Sequence, residues 1–386
     1  MKCIEDYYDA PDNAPQSEVI IIEGAAAVHT APLPPPRARK TFHDYATKVF
    51  LPHIVSKVIR ALRIDAICDA YLRNSLKGMT GLKRGTGRGI QVINKDVLIP
   101  SDWQKFLRVD DNKVKLFAFL AEHLCALDCE QTIITTAGTS VKSNKHDFDT
   151  SLLSPCHHEE ADSRIFIHLL DAIRQGYLKV MIYTVDTDVV KLAISVVPQI
   201  DVLELWIAFG TGKHTPAHSS IYRSVMYGSQ ESIGSALFHA FTGCDTMSAF
   251  FKRGKKTAWD TWSAYEEFTD ALLCIRESED DIPDEAWPVI ERFTILMYDR
   301  TSTDTDINTF RRKLFCKKGR SMEDIPPTKD ALIQHTRRAV YQGKYVWSQL
   351  LELDPYLPSP LDWGWKDPPE LATCVDDTST SLPVGT

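Results

Sequence analysis

Apolar residues follow two alternating rhythms along the first half of the chain and a single rhythm after it. Short, solid apolar runs bounded by turn residues read as buried strands, whereas apolar residues three and four positions apart read as helices. EVIIIEGAAAV opens with such a strand, because its apolar β-formers end at the acid Glu23, followed by Gly24, where the chain must turn. IDAIC, QTIITTAG, LKVMIYTV and VLELWIAFG read as four more. Between them, TFHDYATKVFLPHIVSKVIRAL places Phe42, Tyr45, Val49 and Phe50 at helical spacing with Thr41 as N-cap, and Pro52 is expected to end or kink that helix. SDWQKFLRVDDNKVKLFAFLAEHLCAL reads as one long amphipathic helix or two short ones. HHEEADSRIFIHLLDAIRQGY is a helix by Ile165, Ile167, Leu169, Leu170 and Ile173 that closes near Gly176, and DTDVVKLAISVV is another. Strand and helix thus alternate across residues 19–210, which predicts an α/β fold with a mostly parallel, twisted sheet flanked by helices.

Past Gly228 strand signals nearly vanish and the pattern turns helical, through SQESIGSALFHAFTG, TAWDTWSAYEEFTDALLCI, EAWPVIERFTILMYDR and PTKDALIQHTRRAVYQGKYVWSQLLEL. The expected organisation is a disordered acidic start over 1–18, an α/β domain over 19–245, a helical C-terminal region over 246–350 and a Pro- and Trp-rich tail over 351–386. APLPPPRARK reads as an extended polyproline connector, which accounts for its PxxPxR pattern at Pro32, Pro35 and Arg37 without a partner. No internal repeat is present.

Composition narrows the class. The 386 residues are 44% hydrophobic and 25% charged, enough to bury a large core and incompatible with disorder throughout. No apolar run approaches the roughly 18 residues of a membrane span, and MKCIEDYYDA lacks a basic-then-apolar signal pattern, so the expectation is an intracellular protein with no membrane partner. Nine cysteines without paired metal-ligand spacing read as reduced thiols. With 44 basic and 52 acidic residues the net charge is −8, which excludes a histone-like binder. Two local clusters are nonetheless strongly basic: Lys77, Lys83, Arg84 and Arg88, and Lys252, Arg253, Lys255 and Lys256. The second contains KRGKK, a pattern that favours the nucleus over the cytoplasm.

The acids stand at telling positions. In open parallel sheets ligands gather at the carboxyl ends of the strands. The first expected strand delivers Glu23 to that edge, the second Asp69, and the fourth Asp186 and Asp188. Glu160 and Asp162 lie at a helix start, and Asp245 follows another helix. Each alone is an ordinary cap or turn acid. Gathered together they would repel one another and raise each other's pKa unless cations sat among them. Oxygen-only ligands suit Mg²⁺ or Mn²⁺, and two such ions roughly 3.5–4 Å apart can activate water and stabilise the leaving oxygen of a phosphodiester.

The order EGAAAVH, IDAICDAYLRNSLKGMTGLKRG, HHEEADSRIFIHLLDAIRQGYLKVMIYTVDTDVV and FHAFTGCDTMSAFFKRGKKTAW, over about residues 18–260, resembles the flap-endonuclease-like branch of the PIN nuclease superfamily, which includes the Asteroid-type proteins. The resemblance implies a PIN-like fold and a two-metal nuclease acting on DNA or RNA with branched or single-strand/duplex features. It implies metal ligands at Glu23, where the family usually has Asp, and at Asp69, Glu160, Asp162, Asp186, Asp188 and Asp245, the last six being catalytic. It also implies phosphate contacts from Lys77, Lys83, Arg84 and Arg88 in a short, glycine-rich arch, and from Lys255 and Lys256 in a shortened helix-hairpin-helix-like element.

Other patterns fail on spacing. FGTGKHT lacks the first glycine of a phosphate loop and has His214 where Ser or Thr should stand, and RGTGRG follows no strand directly. Cys156, His157 and His158 are adjacent and lack a complementary ligand pair, so capping and packing explain them better than zinc. Two functional classes remain: a divalent-metal nuclease, and a catalytically impaired nucleic-acid-binding or scaffold protein on the same fold.

Overall fold

A computed structural model describes residues 15–32, 40–58, 61–70, 93–210, 220–223, 230–244, 246–279, 281–317 and 321–365. The chain divides into two compact units, Met1–Met226 with Leu350–Pro355, and Tyr227–Gln349 with Tyr356–Thr386.

The first unit is an α/β layer structure. Its strands among the described residues are β1 (Val19–Glu23), β2 (Arg63–Ile67), β3 (Thr132–Ala137), β4 (Ser140–Ser143), β5 (Lys179–Thr184), β6 (Glu204–Phe209) and β7 (Ser220–Arg223). They form one sheet in the order β4-β3-β2-β1-β5-β6-β7. The five inner strands are parallel, and β4 and β7 pair antiparallel on the two outer sides. The five inner strands are those expected from the apolar runs. The two edge strands were not expected, because SVKS and SIYR are too short and too polar to stand out from turns.

Every residue of β1 is buried, as a central strand covered on both faces requires. Its neighbour β2 is equally buried although it carries Arg63 and Asp65. These charges are neutralised inside the unit. Arg63 Nε and Nη2 donate to the two Asp65 carboxylate oxygens at 2.8 and 2.7 Å, and Nη1 donates to Asp171 at 2.6 Å. His168 Nδ1 lies 2.7 Å from Asp65.

The helices of this unit are α1 (Gly24–Thr30), α2 (Phe42–Tyr45), α3 (Leu51–Val58), α4 (Trp103–Leu107), α5 (Asp110–Cys125), α6 (Ala161–Arg174) and α7 (Thr187–Val196). Thr41 caps α2 through a reciprocal capping box with Asp44. Pro52 does not end the helical run. A π-turn at Ala46–Phe50 precedes it, with Leu51 N–H bonded to the Ala46 carbonyl, so the chain passes the proline by widening one turn. The long amphipathic run resolves into two helices, α4 capped by Asp102 and α5. Gly176, at φ +90°, follows α6. Alternate residues of the strands, Ile20, Ile22, Ile64, Ala66, Ile133 and Met181, join Phe42, Phe106, Leu116 and Leu120 in the main core. Ile134 and Val141 meet Ile167, Leu153 and Cys156 in a smaller one.

The second unit is helical among its described residues: α8 (Gln230–Phe241), α9 (Lys255–Trp262), α10 (Glu267–Glu277), α11 (Ala286–Tyr298), α12 (Ile307–Phe315) and α13 (Lys329–Val340). Its centre is aromatic, with Phe268 stacked on Phe293 at 3.7 Å and Phe241 against Phe250, Phe268 and Phe293. INTFRRKLF was not expected as a helix. Asp306 caps it by accepting from Thr309 N–H at 2.6 Å, and Ile307, Phe310 and Leu314 form its buried face. Among the described residues no helix is long and apolar enough to cross a membrane.

Candidate metal centre

From β1 the chain places β2 and β3 on one side and β5 and β6 on the other, so the order of connection reverses at β1. A crevice at the carboxyl ends of the strands is expected at such a reversal. Register fixes what lies there. Glu23 pairs with Ile67 of β2, Asp69 stands two residues beyond Ile67, and Asp186 stands two beyond Thr184, the last residue of β5.

Each acid is held by local structure. Asp69 accepts the N–H of Ala161 at 2.8 Å, and Ala70 N–H bonds to the Glu159 carbonyl, which ties the end of β2 to the start of α6. Glu160 is the N-cap residue of α6 and Asp162 lies in its first turn. Asp186 caps α7 by accepting from Asp188 N–H at 2.8 Å. These helix starts favour negative charge. Thr184 joins the two sides: its hydroxyl donates to Glu23 Oε2 at 2.5 Å and accepts from Asp186 N–H at 2.9 Å. Gly24 allows the close approach of β1 and β2, since a Cβ there would stand 2.2 Å from Cys68 Sγ and 3.1 Å from the Ile67 carbonyl oxygen.

The carboxylates share one field. One oxygen each from Asp162, Asp186 and Asp188 lie within 4.8 Å of one another, all half-buried, and this triad offers ligand atoms for a metal ion. Burial, and then the charges of Asp186, Glu160, Glu23 and Asp69, hold the Asp162 carboxyl well above the usual carboxylate range. Burial also pushes Glu23 up to about 7, opposed by the Thr184 hydrogen bond and reinforced by Asp186 and Asp69. The donor set is oxygen only, as Mg²⁺ and Mn²⁺ prefer.

Six of the seven acids named from the sequence are therefore placed: Glu23, Asp69, Glu160, Asp162, Asp186 and Asp188 are electrostatically coupled or adjacent in the triad. Asp245 lies outside the described residues, as do Lys77, Lys83, Arg84 and Arg88. Lys255 and Lys256 have intramolecular partners in the second unit. Lys255 Nζ donates to the carbonyls of His239 and Gly243 at 2.7 and 2.5 Å and to Thr242 Oγ1 at 3.0 Å, closing the end of α8. Lys256 pairs with Asp260 one turn along α9.

Sequence reasoning overlooked three supports. Thr184 ends a strand just before the acid pair, a position that alternation alone points inward. Arg164 is fully buried on α6, where its guanidinium donates to the carbonyls of Gly138, Thr139 and Ser140, and gives no sign of this in a helical run. A strap from far along the chain, Leu350–Pro355, also belongs to this unit. His158 Nε2 lies 2.7 Å from the Glu352 carbonyl, His157 N–H bonds to that of Leu353, and Leu353 packs against the smaller core. The strap thus secures the residues that lead into Glu160 and Asp162, and it gives the His158 ring a backbone partner. No protein-family model and no curated protein sequence matches the chain significantly.

Proposed function

We propose that the chain is a divalent-metal-dependent nuclease that hydrolyses phosphodiester bonds in structured DNA or RNA, with Mg²⁺ or Mn²⁺ held at the carboxylate crevice of the first unit. The observation that carries this reading is the meeting of acids from four separated segments at the strand-order reversal, with Asp162 held above its ordinary range by burial and then by its acidic neighbours. Burying acids side by side destabilises a fold, so an arrangement of this kind is most easily understood when cations complete it.

In this reading Asp162, Asp186 and Asp188 hold one ion, and Glu23, Asp69 and Glu160 supply ligands or acceptors for a second. Bound there, the cations would supply Lewis-acid charge and a water acidic enough to attack phosphorus near neutral pH. The chain's own residues orient and tune. Thr184 holds the Glu23 carboxylate toward Asp186, and Asp69 accepts from the α6 backbone. The exclusively acidic donors leave phosphate to be drawn in by metal and by basic residues, for which the cluster after β2 in sequence, Lys77, Lys83, Arg84 and Arg88, is the proposed source. Lys255 is the weaker of the proposed clamps because its ammonium already serves three acceptors.

The test combines metal and substrate. Mg²⁺ or Mn²⁺ should raise the melting temperature as a specific ligand does and should support cleavage of branched DNA or RNA, and Asp186→Asn should abolish both. Salt-sensitive binding without cleavage under any divalent metal would select the catalytically impaired alternative. Cleavage that survives Asp186→Asn would remove the metal-nuclease reading.

A further inference from the structure

Two imidazoles outside the carboxylate set face each other across the helical layer of the first unit. His43 lies on α2 and His123 in the last turn of α5, 80 positions later, and His43 Nδ1 stands 3.2 Å from His123 Nε2. Their ring centroids are 5.4 Å apart and the planes are inclined by 53°. Two nitrogens bound to one tetrahedral Zn²⁺ at about 2.0–2.1 Å are separated by about 3.3 Å. The pair therefore already has the separation of two ligands on one ion.

The surroundings of the pair add a second, independent feature. His123 Nδ1 lies 2.9 Å from the Phe119 carbonyl, which can only accept, so in the neutral ring Nδ1 is the donor and Nε2 faces His43 with its lone pair. Metal-binding histidines are characteristically oriented by such a bond from the other ring nitrogen. The backbone under each ring is also fixed. The capping box of Thr41 and Asp44 sets the turn that carries His43. Phe42, fully buried beside His43, meets Phe119 edge-on at 6.4 Å, and Phe119 supports the His123 ring at 4.4 Å. One phenylalanine thus relates both donors, and His43 itself is exposed, leaving the pair open to solvent.

We propose that His43 and His123 bind one borderline divalent cation of the zinc class, with water or an exogenous ligand in the remaining positions. Imidazole suits Zn²⁺, Cu²⁺ and Ni²⁺, whereas carboxylate and water suit Mg²⁺ and Mn²⁺, so this site and the carboxylate crevice select different ions. An ion bound here ties α2 to the end of α5 and stabilises the folded chain by mass action. A direct hydrogen bond between the rings uses the same two nitrogens, and chelation is the property that separates the two arrangements.

The experiment titrates Zn²⁺ into the full chain by calorimetry, in excess Mg²⁺ and a non-thiol reductant, and follows the melting temperature alongside. Cys316→Ser serves as a control for the thiol that is exposed among the described residues. The expected result is one binding event with a rise in melting temperature, lost in both His43→Ala and His123→Ala and kept in Cys316→Ser, with Cu²⁺ giving an electron-spin spectrum of two nitrogen donors. His43 is exposed, so His43→Ala folds and decides the matter even if His123→Ala does not. Zn²⁺ isotherms and thermal shifts that are the same in wild type and His43→Ala would overturn the proposal.

Discussion

Replacing Glu23 by glutamine should make the metal-free protein more stable at alkaline pH, opposite in sign to most substitutions at buried positions. Glu23 is 8% exposed, and its carboxyl is pushed up to about 7 from an ordinary 4.5, by burial first and then by Asp186 and Asp69. A group whose folded-state pKa is raised contributes stability that is complete below its unfolded value and lost as the pH climbs through the folded one. The loss therefore develops between 4.5 and about 7. A rise of that size corresponds to about 3 kcal/mol. Glutamine keeps an oxygen to accept from Thr184 and carries no charge. With a chelator present at about pH 8.5, Glu23→Gln should then gain up to about 3 kcal/mol in urea unfolding, several degrees in melting temperature, while near pH 5 the two proteins should nearly coincide. Saturating Mg²⁺ should narrow or reverse the gap, because wild type alone keeps the full ligand set. A glutamine variant that is less stable than wild type at both pH values without metal would refute the idea that burial and the neighbouring acids disfavour an ionised Glu23.

Three further outcomes follow from other parts of the molecule. Gly24→Ala should cost about 1–3 kcal/mol by overpacking, and Cys68→Ala should recover part of it in the double variant, because the nearest clash is with Cys68 Sγ; denaturant melts of the four proteins check this. Arg63→Met leaves Asp65 and Asp171 buried without their cation and should cost about 3–5 kcal/mol in the same assay; a cost below about 1 kcal/mol would show that the buried charges are relieved in some other way. His335, buried between Ser248 Oγ at 2.9 Å and the Phe241 carbonyl at 2.7 Å, is lowered to about 4, chiefly by burial. A lowered histidine contributes stability that is present above about 6.5 and lost as the pH falls toward 4, so its ring should stay neutral at pH 5 by nitrogen NMR, and a ring found protonated there contradicts its placement.

Much of the first unit was legible because its signals are local. The runs VIII, IDAI, TIITT, VMIY and LWIAF needed only composition and bounding turns to read as buried strands, and the rule that ligands gather at strand carboxyl ends then selected Glu23, Asp69, Asp186 and Asp188. Glu160 and Asp162 were legible as helix-start acids. What stayed hidden depends on contacts distant in sequence. Arg63 and Asp65 look like polar interruptions of a strand until Asp171 and His168, more than 100 positions on, neutralise them. Pro52 left open whether the helix ends or kinks there, because a π-turn leaves no sequence signal. That the Lys255 ammonium turns back onto the preceding helix was also hidden, because a basic run does not reveal such a contact. The strap at Leu350–Pro355 was invisible for the same reason, since its partners lie almost 200 positions earlier.

The central claim is that the acids of the first unit form a divalent-metal centre, and anomalous scattering from crystals grown with Mn²⁺ addresses it most directly. The account predicts anomalous density among the carboxylates of Asp162, Asp186 and Asp188, with a second peak toward Glu23 and Asp69, and loss of both in Asp186→Asn. Crystals saturated with Mn²⁺ that show no peak at these carboxylates would contradict it.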